Sequence, residues 1–210
     1  AAFPTSSQGA TIVAYSPYQE DWGEDAVIQE QVFYVKTDQS DQESYEASDL
    51  MIGSSGISAT TRAGNNAITF NHMLAKVAIH VVDETGYVNL DRINVELLNV
   101  NNSVSVNLLT MSVSTLPERV PAIKMLSEMT TDWRISSYAI VAPQKVADGE
   151  TFFAVTLYGN RQTYPIPQAA QLEGGKVYTI NMRLTEQGLI PDEWYITDWD
   201  EEGEQTIYAK

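Results

Sequence analysis

The chain consists largely of short segments rich in β-branched and aromatic residues, separated by turns rich in Asn, Gly and Asp. Residues 151–158 (TFFAVTLY), for example, lead into the turn YGNR at residues 158–161 and then into residues 162–166 (QTYPI). Strands of this length and spacing are typical of a β-sandwich, because each strand turns back to pair with a neighbour. The sequence therefore predicts an all-β fold.

The same pattern predicts strands along most of the chain, at residues 11–18, 31–37, 68–82, 92–100, 104–111, 138–142, 151–158, 162–166, 177–185 and 194–199. Residues 38–49 (DQSDQESYEASD) are predicted to form a polar loop. Only residues 122–133 (AIKMLSEMTTDW) and 167–173 (PQAAQLE) have the spacing of a helix. Residues 53–67 are rich in Gly, Ser, Thr and Asn, so we predict a linker there, and with it a domain boundary.

The segment ITFNHMLAKVAIHV, at residues 68–81, changes its apolar phase in the middle. Ile68 and Phe70 are apolar at even positions, whereas every odd position from Met73 to Val81 is apolar. A strand with a β-bulge or a crossover near residues 71–73 would produce this change. A helix also fits the spacing, although the pattern favours a strand. We expect His72 to lie at the irregularity and to bond to backbone groups freed from the ladder.

Both histidines of the chain, His72 and His80, lie in this segment. On one strand they would be roughly 26 Å apart, at about 3.3 Å per residue. On one helix they would be about 12 Å apart along the axis. Neither separation allows both rings to bind one zinc ion at about 2 Å, so we interpret both histidines as structural.

Motifs for catalysis are absent from the sequence. GSSG at residues 53–56 has a serine beside glycine but lacks the strand-to-helix setting of a nucleophile elbow. LEGGK at residues 172–176 lacks the spacing of a phosphate-binding loop and fits a hairpin turn. The acidic clusters at residues 20–25 and 198–204 lack the spacing of a calcium loop and are interpreted as solvated surface. We predict no catalytic, cofactor-binding or metal-binding residue.

The formal net charge of −16 restricts the partners of this chain. It argues against a nucleic-acid backbone and against docking on anionic lipid. The chain contains no cysteine, which excludes disulfides and thiolate chemistry, and no apolar run approaches the length of a membrane span. Because AAFPTSSQGATIVAYSPYQ starts abruptly with a turn and a strand, we expect the natural protein to continue upstream of Ala1.

Several segments together resemble one family. ATIVAYSPY, YVKTDQSDQESYEASDLM, ITFNHMLAKVAIHV, YAIVAPQ and LEGGKVYTINMRL followed by ITDWDEEGE occur in the order found in fimbrillin-like proteins, the type V pilus subunits of anaerobic gut and oral bacteria. The most specific elements are Phe70-x-His72 with the run Leu74–Val77, and Gly175-Lys176-x-Tyr178. The resemblance covers nearly the whole chain from about Ala10 onward.

The resemblance implies two transthyretin-like β-sandwich domains in tandem. Residues 1–64 would be the C-terminal portion of an incomplete N-terminal sandwich plus the linker, and residues 65–210 the C-terminal sandwich. It also implies export as a lipoprotein, display on the outer membrane and assembly with other pilus subunits by donor-strand exchange. The strand-like piece at residues 206–209 is short for a donor strand, which favours a tip or accessory subunit over a shaft subunit.

Three classes of function remain as hypotheses. The leading one is a structural and adhesive pilus subunit with no enzymatic activity, whose partners are other subunits and a host or bacterial surface receptor. The alternative is a surface carbohydrate-binding lipoprotein, for which exposed Tyr and Trp residues in the first third of the chain would supply the contact surface. A β-sandwich hydrolase that uses paired carboxylates is the third.

Overall fold

The computed structural model describes residues 10–22, 30–57, 67–86, 88–131, 134–199 and 206–208. In these ranges the chain is nearly all β, which confirms the predicted fold class. The first nine strands are β1 Ala10–Ser16, β2 Gln31–Tyr34, β3 Met51–Ile57, β4 Ala67–His72, β5 Ala75–Asp83, β6 Asn94–Asn101, β7 Ser103–Asn107, β8 Ser112–Thr115 and β9 Arg119–Lys124. The others are β10 Leu126–Thr131, β11 Arg134–Val141, β12 Gln144–Val146, β13 Thr151–Leu157, β14 Asn160–Pro165, β15 Ala170–Leu172, β16 Lys176–Thr185, β17 Gly188–Asp198 and β18 Thr206–Tyr208.

Two sheets form the main sandwich. One has the order β10-β11-β5-β16-β17 and the other the order β14-β13-β6-β9. Their inward side chains, including Val77, Ile79 and Ile180 on the first sheet and Leu97 and Phe153 on the second, belong to one buried apolar cluster. β5 is buried on almost every side chain, as the central strand of a covered sheet should be.

The centre of the five-stranded sheet is a parallel pair. β5 and β16 run in the same direction, with Lys76 opposite Val177 and Asp83 opposite Leu184, whereas the other pairings of this sheet are antiparallel. Strands in a parallel pair need a long connection, and here most of the second half of the chain lies between them. The sandwich is therefore closed by elements distant in sequence.

Two further sheets contain the N-terminal strands. β1, β3, β4 and β18 form one sheet in that order, and β2, β7 and β8 form another. A two-stranded sheet pairs β12 with β15. The one α-helix of the described residues, α1 Gln42–Glu46, begins after Asp41, whose carboxylate accepts the Ser44 N–H at 2.8 Å. This helix lies inside the segment predicted to be a polar loop.

A long hairpin connects the N-terminal strands with the main sandwich. β6 and β7 are separated by Asn102 alone, and they pair successively with β9 and β8. The Asn101 side chain donates to the carbonyls of Leu116 and Glu118, at 2.8 and 3.1 Å, where the chain passes from one sheet to the other. β6 and β9 thus belong to the main sandwich, whereas β7 and β8 form a separate sheet together with β2.

The phase change in residues 68–81 is a crossover between sheets. β4 ends at His72 in the N-terminal sheet, and β5 starts at Ala75 in the five-stranded sheet. The predicted crossover is confirmed, although two strands replace the single strand predicted for residues 68–82. Leu74, between the two strands, is fully buried. The inward face therefore changes because the chain enters a different sheet.

Both predicted helices are wrong. Residues 122–133 contain the end of β9 and the whole of β10, with Met125 between the two strands. Met125 and Leu126 are both buried because the chain moves from one sheet to the other at that point. Two adjacent buried residues interrupt the alternation of a strand, so the apolar pattern resembles that of a helix. Residues 170–172 of the second segment form β15. The predicted linker is also partly wrong, since residues 53–57 belong to β3.

The division between residues 64 and 65 stays a prediction. β3 and β4 flank that position and pair antiparallel, with Met51 opposite His72. The buried apolar cluster includes Phe33 and Leu50 from the first segment as well as residues of the main sandwich. The N-terminal strands and the sandwich thus share one apolar core.

Candidate functional site

The N-terminal sheet has an open edge at β1. In the described part of the chain, β1 pairs with β3 alone, from Ala10 opposite Ile57 to Ser16 opposite Met51. Half of its backbone N–H and C=O groups therefore point away from β3, with no strand opposite them. An open strand edge is a template for pairing with a strand of another chain.

β2 presents a second open edge. Val35 N–H donates to the Asn102 carbonyl at 2.7 Å, so the odd-numbered residues of this segment bond towards β7. Because bonding direction alternates along a strand, the backbone of Val32 and Tyr34 points away from β7. The Trp22 indole N–H donates to the Val32 carbonyl at 3.3 Å. On the same side, the Lys36 N–H donates to Ser48 Oγ at 3.1 Å. Between these two contacts, among the described residues, no hydrogen bond reaches the outward backbone groups of Tyr34.

An aromatic cleft of about 360 Å³ lies beside these edges. Its lining residues are Pro17, Tyr18, Gln19, Trp22, Val32, Phe33, Tyr34, Lys36 and Ala47. Trp22 and Phe33 are 7% and 1% exposed, whereas Tyr18 and Tyr34 are 81% and 61% exposed. The cleft thus has two buried aromatic residues and two exposed tyrosines. A side chain from an added strand could enter it and bury apolar surface.

Sequence reasoning noted these aromatic residues but missed the open edges. Tyr15, Tyr18, Trp22 and Tyr34 stand out as a concentration of aromatics in the first third of the chain. The Tyr15 and Trp22 rings pack with centroids 4.8 Å apart. Which strand is an edge depends on pairings with residues far along the chain, and no local pattern carries that information.

The segments that carry the family resemblance meet at one junction. The His72 ring stacks on the Trp199 ring with centroids 4.0 Å apart and planes 2° apart. A Cβ added to Gly174 would overlap the Met73 carbonyl, so the turn of LEGGK lies directly against the crossover. Lys76 Nζ lies 5.7 Å from the centroid of the Trp199 ring. The ordered motifs therefore stabilise the point where the chain leaves the N-terminal sheet.

The two histidines occupy separate sheets. His72 Nδ1 lies 2.8 Å from an Asp49 carboxylate oxygen, so the predicted bond to freed backbone is wrong. His80 Nδ1 lies 2.7 Å from Ser136 Oγ, and its ring packs edge-on against Tyr138 at 5.9 Å. Among the described residues there is no group of three His, Asp or Glu side chains that could hold a metal ion.

The other candidate segments of the sequence have structural settings. GSSG lies inside β3, where a Cβ on Gly53 would overlap the Thr69 carbonyl of β4. Asp198 of the C-terminal acidic cluster pairs with Lys176, which raises the pKa of that lysine. Residues 200–204 of that cluster and residues 23–25 of the other lie outside the described residues.

Five basic side chains of the described residues pair with carboxylates. Lys124 Nζ bonds to Asp38 at 2.8 Å, and this bond, together with bonds from Ser40, lowers the pKa of Asp38 to about 2. Arg119 bonds to Glu150 at 2.6 Å, and Arg161 bonds to Glu96 at 3.1 Å. The acidic excess of the chain comes from its 28 Asp and Glu residues against 12 Lys and Arg residues. In the described part of the chain, no helix has the length and apolarity needed to cross a membrane.

The two packed sheets and their shared buried core define a β-sandwich protein. A family model for fimbrillin-like proteins matches residues 1–199, and the chain belongs to that family. This is a family of structural pilus subunits and not of enzymes, so the chain has a structural role at the cell surface.

Solved structures share the fold. A candidate cell adhesion protein from Bacteroides ovatus matches with a TM-score of 0.71 and 17% identity, over 93% of this chain and 70% of that chain. One from Bacteroides uniformis matches with a TM-score of 0.68 and 20% identity, over 94% and 75% of the two chains. One from Bacteroides thetaiotaomicron matches with a TM-score of 0.58 and 18% identity, over 90% and 72%. A search of curated proteins finds no significant match.

Proposed function

We propose that the chain is a structural and adhesive subunit of a cell-surface fimbria that accepts a β-strand from another subunit at its N-terminal edges. The observation that supports this is the pair of open edges, β1 and β2, beside the aromatic cleft. A strand added at β2 satisfies the outward backbone groups of Tyr34 and inserts a side chain between Tyr18 and Tyr34. Membership of the fimbrillin-like family supplies the context for such assembly.

A tip or accessory position fits this chain better than a shaft position. β18 is three residues long and pairs with β4 of its own chain, with Thr206 opposite Thr69. A shaft subunit must both accept a strand and donate one, whereas a tip subunit only accepts. We propose with it an outer-membrane location reached through a lipid anchor, as in the family.

Tyr34→Pro tests strand acceptance at β2. Proline removes the outward N–H of Tyr34 and leaves the bonds of Phe33 and Val35 towards β7 in place. Electron microscopy of producing cells is expected to show at least a tenfold loss of the chain from fimbriae. Tyr34→Ala is the matched control, because it removes the ring and keeps the N–H, and we expect a smaller loss. Unchanged incorporation of a folded Tyr34→Pro chain would refute the proposal.

Carbohydrate binding is a second candidate, favoured by one observation. The exposed rings of Tyr18 and Tyr34 stand on the border of a cleft that also contains Gln19 and Lys36. Aromatic faces with nearby polar groups suit a sugar ring. A glycan array with the purified chain tests this candidate: binding abolished by Tyr18→Ala supports it, and no reproducible binding removes it.

A further inference from the structure

The five-stranded sheet ends in the edge strand β17, which is the longest strand of the described residues. β17 pairs with β16 and, in the described part of the chain, with no other strand. The Trp199 N–H donates to the Gly175 carbonyl at 2.9 Å, so the odd-numbered residues at this end bond towards β16. Bonding direction alternates along a strand, and the register is regular from Trp194 to Asp198. The backbone groups of Trp194, Ile196 and Asp198 therefore point away from β16.

The first half of this edge is closed to an added strand. The Leu189 carbonyl accepts the Tyr164 hydroxyl at 3.1 Å. Pro191 has no N–H to offer, and the register with β16 shifts between Pro191 and Trp194. Proline and an irregular register both protect edge strands from pairing. Residues 194–197 (WYIT) have neither, so the open part of the edge is the second half of β17.

The open half has side chains that favour strand pairing. WYIT consists of aromatic and β-branched residues, which are enriched in strands. Tyr195 is 40% exposed on one face of the sheet, and Ile196 is 49% exposed on the other. An added strand would contact both side chains and remove apolar surface from water on both faces.

Acidic residues lie at both ends of this half. Glu193 precedes it and Asp198 ends it, and β17 contains no Lys or Arg. Asp198 pairs with Lys176. Glu193 Oε2 accepts the neutral Asn181 amide at 3.3 Å, and Glu193 forms no ion pair in the described part of the chain. The charge of Glu193 is therefore available to a partner.

Charge selects the kind of strand that can pair here. Two copies of β17 side by side would bring the acidic side chains of both strands together, and the net charge of −16 adds to their repulsion. A strand with Lys or Arg beside Glu193 places opposite charges together instead. The edge therefore disfavours a second copy of this chain and favours a basic segment.

From these observations we infer that residues 194–198 bind a basic, extended segment of another protein as an added strand of the five-stranded sheet. The segment contributes Lys or Arg beside Glu193, and apolar or β-branched residues beside Tyr195 and Ile196. Backbone hydrogen bonds to Ile196 fix its register. This contact is separate from strand acceptance at β2, and it gives the subunit a second partner that the proposed function does not require.

Amide hydrogen exchange of the chain in the presence of a synthetic peptide tests the contact. The probe is a peptide of alternating Val and Thr with Lys at both ends, and its matched control has Glu in place of Lys. At a saturating concentration, the Lys peptide is expected to slow exchange of the Ile196 amide at least tenfold and to leave the Tyr34 amide unchanged. Equal protection by the Glu peptide, or protection of Tyr34 in place of Ile196, would overturn the inference.

A pair of variants tests the backbone pairing. Ile196→Pro removes the outward N–H and leaves the bonds towards β16 in place. The affinity for a dye-labelled Lys peptide, measured by fluorescence anisotropy, is expected to fall at least tenfold. Ile196→Ala is the matched control, because it keeps that N–H, and a smaller loss is expected. Equal losses in the two variants would show that no strand pairs with this edge.

Charge reversal tests the preference for a basic segment. Glu193→Lys is expected to weaken binding of the Lys peptide about tenfold and to strengthen binding of the Glu peptide. Glu118→Lys changes the net charge equally at an exposed residue outside β17, and it is expected to leave both affinities within about twofold. Equal effects of the two variants would mean that net charge alone attracts the peptide, and the inference would be wrong.

Two other occupants are distinguished by the same variants. If the chain alone associates in sedimentation experiments and Ile196→Pro abolishes that association, the edge binds a second copy and the inference is wrong. Tyr34→Pro is expected to leave the affinity for the Lys peptide unchanged. If Tyr34→Pro abolishes that affinity, the peptide binds at β2, and the inference about β17 is again wrong. The thermal unfolding midpoint of each variant verifies that it is folded.

Discussion

His72 and Trp199 stack face to face, with ring centroids 4.0 Å apart and planes 2° apart. His72 is the last residue of β4, and Trp199 directly follows β17, so the contact connects the N-terminal sheet with the five-stranded sheet. The Trp199 N–H also donates to the Gly175 carbonyl at 2.9 Å, and Gly175 N–H donates to the Leu74 carbonyl at 2.9 Å. Side-chain and backbone contacts together fix the junction between the two sheets.

Trp199→Ala is expected to destabilise the chain strongly. Trp199 is 7% exposed, and removal of a buried Trp side chain costs about 3–5 kcal/mol. Urea denaturation measures the change in the free energy of unfolding. Ile196→Ala is the control, because Ile196 is exposed on β17 and its loss should change that free energy by less than about 0.5 kcal/mol. Equal losses in the two variants would show that the junction is not a stabilising contact.

Gly174→Ala is expected to lower the thermal unfolding midpoint. The added Cβ would overlap the Met73 carbonyl, which is backbone and cannot rotate away. Such overpacking costs about 1–3 kcal/mol. Gly56→Ala is the matched control, since no atom lies within 4 Å of its added Cβ. If Gly174→Ala has the same thermal unfolding midpoint as the wild type, the turn at Gly174 can move away from the crossover to make room for the added Cβ.

Gln39→Ala is expected to weaken the attachment of the N-terminal segment. Gln39 is fully buried, and its amide donates to the Ile140 carbonyl at 2.8 Å and accepts the Ile140 N–H at 2.9 Å. Leaving these buried backbone groups unpaired costs about 2–3 kcal/mol. Hydrogen exchange of the Ile140 amide should accelerate. Gln42→Ala, on the exposed helix α1, is the control and should leave that amide protected.

Asp83 is expected to make stability depend on pH. Burial raises the pKa of this carboxyl, but hydrogen bonds from Thr85, Val88 and Gly86 outweigh burial and hold the pKa below its ordinary value of 3.8. The folded state therefore binds the proton less readily than the unfolded state, and the stabilisation is present above about pH 4 and is lost as the pH falls further.

The Asp83→Asn variant tests this dependence. Its free energy of unfolding should fall less between about pH 7 and pH 3 than that of the wild type, because one titrating carboxyl is gone. The remaining pH dependence comes from carboxyls such as Glu150, whose pKa is lowered by the Ala147 N–H and by Arg119. Asp91→Asn, at an exposed carboxyl, is the control. If the free energy of unfolding of Asp83→Asn depends on pH as strongly as that of the wild type, Asp83 is not a source of the pH dependence.

The sequence was sufficient for the fold class and for the crossover near residues 71–73, because alternation of apolar residues reports which face of a strand is buried. The same reasoning failed at residues 122–133, where the buried neighbours Met125 and Leu126 mark another passage between sheets. The open edge at Tyr34 could not be predicted from the sequence, for a different reason. Whether Tyr34 lies at an open edge depends on the pairing of β2 with β7, some seventy residues later in the chain.

The parallel pair at the centre of the five-stranded sheet has a consequence for the order of folding. Lys76 lies opposite Val177, so β5 gains its second neighbour only after about a hundred further residues have been made. Pairings between such distant segments are slow to form, and unpaired strands are prone to aggregate meanwhile. Until β16 arrives, the most buried strand of the sandwich is an open edge. The growing chain thus has most need of protection by chaperones before its last strands emerge.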